Sequence, residues 1–164
     1  MSNFDEWRKE LLHVGNIVQD SDNSVSPDES EQGFNRYIEM LDLLDGTEGS
    51  EYALAIFESI QAEHDYGAYQ TAGRAAWLFG EDNFCMSLIQ ELPRLIKTFP
   101  DWAGDFMVSI ANGEGTEHES VIKTFNRHLK SVSSDKQNVI LEYINEQEKS
   151  GWFEHRVGVL GCNA

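Results

Sequence analysis

The stretch SPDESEQGFNRYIEMLDLLDG, Ser26 to Gly46, decides the fold class. Ser26 is followed by Pro27 at a first helical position and by Glu29 three residues after the serine, which is the pattern of a capping box. Phe34, Tyr37, Ile38, Leu41 and Leu44 then recur at spacings of three and four and line one helical face, and Asp45 with Gly46 closes the helix. Nothing in the stretch alternates as a half-buried strand would.

The same period extends outward in both directions. Upstream, residues 20–26 are polar and aperiodic and form a loop, and Phe4, Trp7, Leu11, Val14 and Val18 place an apolar stripe on a helix from about Phe4 to Gln19. Gly15 is expected to weaken that helix without breaking it. Downstream, a helix from about Ser50 to Glu63 contains YALAIF, apolar on more than one side and so expected to sit centrally. The Gly- and Ala-rich segment from Tyr66 to Phe79 ends at Gly80, with Trp77 and Phe79 as anchors.

Phe84, Leu88, Leu92, Leu95 and Phe99 continue the period, with Pro93 expected to kink the helix or start a second one. A short helix follows from about Asp101 to Ala111, stopped by Asn112 and Gly113. Two further capping boxes, Thr116 with Glu119 and Ser134 with Gln137, precede runs carrying Val121, Ile122, Phe125 and Leu129, then Val139, Ile140, Tyr143 and Ile144. Trp152, Phe153, Val157 and Leu160 make a last amphipathic turn or helix, so that residues 151–164 dock on the rest. The chain therefore reads as all-α, one helical domain over residues 1–164. Its eight or nine helices stack as antiparallel pairs about 35 to 40 residues apart, either HEAT-like or as a compact irregular domain.

Composition limits the function. Of the 164 residues, 29 are Asp or Glu and 12 are Lys or Arg, a formal charge of −17. Such a charge repels phosphate backbones and anionic lipid, which leaves no nucleic acid and no membrane among the expected partners and points to something basic. No apolar run reaches the roughly 20 residues of a membrane span, and MSNFDEWRKELL lacks the pattern of a secretory leader. A cytoplasmic protein follows, a monomer or weak dimer, with Cys85 and Cys162 as reduced thiols.

The charge is lopsided. Residues 1–65 hold 16 acids and three bases, a net −13, while residues 66–164 hold 13 acids and nine bases, a net −4. Between Arg36 and Arg74 there are eight acids and no base: Glu39, Asp42, Asp45, Glu48, Glu51, Glu58, Glu63 and Asp65. Glu39 and Asp42 stand three apart on one helix, and Glu51, Glu58 and Asp65 recur at seven, close to two helical turns. Adjacent helices would join these stripes into one negative partner-binding surface, with Tyr37, Tyr52, Tyr66 and Tyr69 nearby as amphipathic anchors. A solvated face in an acidic protein is the competing reading.

Catalytic signatures are missing. The sequence has no GxxxxGK[ST], GxSxG, CxxC or HExxH, and no GxGxxG placed after a strand. Any metal site built from His13, His64, His118, His128 or His155 would need tertiary contacts, so no cofactor, no metal and no enzymatic activity are expected.

The segment LIQELPRLIKTFPDWAGDFMVSIANGE, Leu88 to Glu114, resembles bacterial polymorphic-toxin immunity proteins, in which a helix ending near a proline precedes a Pro-x-Trp-Ala start and a helix closing on Asn. Pro100, Trp102, Ala103 and Asn112 carry the likeness, which lies within these 27 of the 164 residues. The resemblance implies a helical immunity partner, as in contact-dependent growth inhibition, that neutralises a cognate toxin in the producing cell. It carries over no binding residues. With the charge, it makes a basic toxin domain, a nuclease, the expected partner. A HEAT-like adaptor without a toxin partner and a small metal-dependent hydrolase are the alternatives.

Overall fold

The computed structural model describes residues 3–19, 22, 24–153 and 156–161, so Cys162 and His155 lie outside the described residues. The chain is all-α. Its helices are α1 (Phe4–Val14), α2 (Pro27–Asp42), α3 (Ser50–Glu58), α4 (Ala68–Trp77), α5 (Gly80–Thr98), α6 (Pro100–Ala111), α7 (Ser120–Ser131) and α8 (Ser134–Ser150), and no strand occurs among the described residues. No helix among these residues is long and apolar enough to cross a membrane. The backbone groups into two compact units, residues 1–84 and 85–164, with the division inside α5.

In the first unit α1 packs on α2 and α3, and α4 packs on the same two helices, so the packing closes a ring in the order α1, α2, α4, α3. These four pairings are also those of two stacked helix pairs, α1 with α2 and α3 with α4, so they fit the HEAT-like and the compact irregular arrangement alike. Its start signal is the capping box. Ser26 Oγ accepts from Glu29 N at 3.3 Å, and Glu29 Oε2 accepts from Ser26 N at 3.0 Å.

Two boundaries depart from the helical period. α1 ends at Val14 rather than near Gln19, because Gly15 caps it and lies against α3: a Cβ there would stand 2.6 Å from the Ser59 carbonyl oxygen. α3 ends at Glu58 rather than Glu63, because the Gln61 and Ala62 amides donate to the Tyr69 hydroxyl, at 3.0 and 2.9 Å, instead of to helix carbonyls. The core of this unit is aromatic. Phe84 stacks on Trp77 with centroids 4.2 Å apart and meets Phe57 edge-on at 5.3 Å.

In the second unit α5 runs through Pro93 without a second helix starting there. The boxes expected at Thr116 and Ser134 are replaced by other geometry. Thr116 donates to the Gly113 carbonyl and Glu119 accepts from Gly115 N, so both close a turn ahead of α7, whose first residue is Ser120. α8 starts at Ser134 itself, with Ser133 at the cap and no side-chain cap bond.

Among the described residues after α8 the chain forms turns and bends, with Phe153 and Leu160 buried and Trp152 and Val157 exposed. Buried Asn126 on α7 holds this segment, donating to the Val159 carbonyl at 3.1 Å and accepting from Gly161 N at 2.8 Å. Asn126→Leu is expected to cost about 1 to 3 kcal/mol, the penalty for stranding two backbone groups. Hydrogen exchange checks it: the Gly161 amide should lose protection while α5 amides keep theirs, and unchanged protection at Gly161 would contradict the assignment.

Candidate functional site

The ten residues expected to form one acidic face belong to the first unit, but the structure divides them between two ends of its helix ring. α2 has 16 residues, so its ends lie about 24 Å apart. At the end where α2 gives way to α3 stand Asp42, Asp45, Glu48 and Glu51. At the end where α3 gives way to α4 stand Glu63, Asp65, Tyr66 and Tyr69. The spacing of seven from Glu51 through Glu58 to Asp65 does not form a stripe, because Asp65 lies beyond the end of α3.

The α2–α3 loop is held firmly. The Glu48 carboxylate accepts from the Asp45 and Gly46 amides, both at 2.9 Å, and Asp45 accepts from Thr47 N at 2.9 Å and from the Thr47 hydroxyl at 2.6 Å. The Thr47 hydroxyl, with the Thr47 amide second, holds the Asp45 carboxyl below the usual carboxylate range. Gly46 has φ +88°, and a Cβ there would meet the Leu78 carbonyl oxygen at 2.2 Å, so the loop rests directly on the α4–α5 junction.

That close approach makes a mixed surface. Leu43 is 65% exposed and Leu78 52%, beside exposed Asp42 and Asp45. Neither leucine was among the expected site residues. The signal for Leu43 was available: it falls opposite the stripe of Tyr37, Leu41 and Leu44, an apolar side chain on the polar side of its helix. Leu78 has no such signal, since only the tertiary seat of Gly46 brings it to this loop.

Other expected site residues serve the fold. Tyr69 is fully buried, and its hydroxyl donates to the Gly15 carbonyl at 2.7 Å. Asp65, 8% exposed, accepts from Tyr69 N at 2.6 Å and so caps α4. Glu58 pairs with Arg8 Nε at 2.7 Å. Glu39 receives Arg36 Nη1 at 2.8 Å, while Arg36 Nε reaches Glu10 at 2.7 Å. The hydrogen bond to Glu10, and after it the one to Glu39, push the Arg36 guanidinium up, and the Arg36–Glu10 bond holds the Glu10 carboxyl down. Tyr69 and Asp65, like the buried Tyr37 and Tyr52, thus offer no side chain to a partner, whereas Asp42, Asp45, Glu51, Glu63 and Tyr66 are exposed.

Charge follows the division of the chain. The first unit holds 18 Asp and Glu against four Lys and Arg, a net −14, and the second holds 11 against eight, a net −3. Two of the first unit's four cations, Arg8 and Arg36, are engaged by Glu58, Glu10 and Glu39. Among the described residues no group of three or more His, Cys, Asp or Glu side chains could hold a metal ion. His118 lies 3.7 Å from Glu117 in an exposed pair.

No family model matches the sequence, and no curated protein or solved structure matches it either.

Proposed function

We propose that the chain is an immunity protein, which binds a basic toxin domain, a nuclease by preference, and blocks it stoichiometrically in the cytosol of the bacterium that makes it. One observation carries the reading. The first unit concentrates a net −14, and exposed Asp42, Asp45 and Glu51 stand at the same α2–α3 end as exposed Leu43 and the Leu78 on which Gly46 rests. Carboxylates draw a cationic surface in from a distance, and apolar side chains supply contact once water is excluded. Nucleases present positive surfaces because they hold phosphates, so an acidic surface competes for the groove that takes substrate. The likeness of Leu88 to Glu114 to immunity proteins supports the same reading.

Co-expression with the product of the reading frame immediately upstream tests it. The expected result is restored growth with co-purification of the two proteins in fixed ratio. A toxic upstream product that this chain neither rescues nor binds would overturn the proposal.

A further inference from the structure

The opposite end of the first unit carries a groove of about 380 Å³ between the end of α1 and the start of α2. Its walls are Ile17, Val18, Val25, Pro27, Phe34 and Tyr66. Asp22 and Glu31 stand among them, and a continuation of about 270 Å³ adds Glu29 and His13. Among the described residues that line either part there is no Lys or Arg.

The groove is built rather than incidental. Gln19 Nε2 donates to the Ile17 carbonyl at 2.9 Å and to the His64 carbonyl at 2.7 Å, which ties the segment after α1 to the loop before α4. The same loop holds Tyr66, 54% exposed, at φ +51°, a left-handed conformation that is strained for a non-glycine residue. Its volume falls within the roughly 300 to 1,000 Å³ of ordinary ligand pockets. Apolar walls with carboxylates and no cation suit one kind of occupant: an apolar chain that ends in, or adjoins, a positive charge. The stems of Lys and Arg pack on apolar surface while the charged head reaches a carboxylate.

We infer that this groove receives a short segment of the basic partner, in which a Lys or Arg is flanked by apolar residues, with Asp22 and Glu31 taking the charge. The inference rests on the proposed basic partner and adds a second contact, at the far end of the helix ring from Leu43 and Leu78.

The test uses the isolated full chain, isotope-labelled, titrated with the capped peptide Leu-Arg-Phe-Lys-Leu and with its counterpart Leu-Glu-Phe-Glu-Leu while amide shifts are followed. The basic peptide should give saturable shifts at residues 17–19, 25, 34 and 66, and the acidic one none. Asp22→Lys with Glu31→Lys, both exposed positions, should weaken the basic peptide by about tenfold or more, and Asp42→Lys with Glu51→Lys should change it by less than about twofold. Absent or unsaturable shifts, shifts equally at both ends, or equal loss in the two double variants would overturn the groove assignment. Growth rescue by the unaltered chain is read separately, so the groove can fail while the immunity reading stands, and the reverse.

Discussion

Replacing Tyr69 by Phe is expected to cost about 2 to 4 kcal/mol of stability, although only one oxygen is removed. That oxygen donates to the Gly15 carbonyl at 2.7 Å and accepts from the Gln61 and Ala62 amides at 3.0 and 2.9 Å, all inside the first unit. The Gln61 and Ala62 amides lose this acceptor, each at a desolvation cost, and the phenyl ring offers them no substitute, whereas the Gly15 carbonyl keeps the Ile17 amide at 3.0 Å. Denaturant titration measures the loss, and a change below about 1 kcal/mol would show that water or a shifted backbone fills the gap.

The same residue sets an alkaline limit. Burial pushes the Tyr69 and Tyr143 hydroxyls up to about 12, and burial raises Tyr37 further. The folded protein holds these groups neutral while the unfolded chain ionises them near 10. Their contribution is therefore complete below about pH 10 and is lost as the pH rises through 12. Stability measured across that window should fall steeply, and the fall should be shallower in Tyr69→Phe, which has one such group fewer.

Phe84→Ala is expected to cost about 3 to 5 kcal/mol, the range for deleting a buried aromatic ring. Phe84 is fully buried between the Trp77 face at 4.2 Å and the Phe57 edge at 5.3 Å, so its loss leaves a cavity between two rings that other helices hold in place. Denaturant midpoints and the near-ultraviolet signal of Trp77 should both change. A near-zero cost would mean that Trp77, itself half-buried, collapses into the space.

Local signals in the sequence carried the helices well where the chain makes its own start and stop, and poorly where a distant residue decides. The Ser26 and Glu29 box forms as spaced, because both partners lie within one turn. The end of α3 was illegible because the acceptor for the Gln61 and Ala62 amides is Tyr69, on another helix. The end of α1 was misread because the close approach of Gly15 to Ser59 is a tertiary fact. At Thr116 the right residue types are present, yet the glycines at 113 and 115 let them close a turn instead of starting a helix.

The candidate site shows the same divide. The run without Lys or Arg between Arg36 and Arg74 was plain in the sequence, and the acids at Asp42, Asp45 and Glu51 are exposed. What period and spacing could not give was the allocation of Asp65 and Tyr69 to the inside, or the meeting of Gly46 with Leu78. Counting charges identifies a surface, whereas burial decides which of them a partner can touch.

The most direct test of that surface is the association rate with the toxin domain, measured at several ionic strengths for two double variants of equal net charge. Asp42→Lys with Glu51→Lys should fold normally, slow association by roughly tenfold at low salt and flatten the salt dependence, because exposed charges act mainly on encounter. Glu142→Lys with Glu146→Lys, exposed on α8, should slow it by no more than about twofold. Equal slowing by the two pairs, or none by either, would contradict an acidic binding surface at the α2–α3 end.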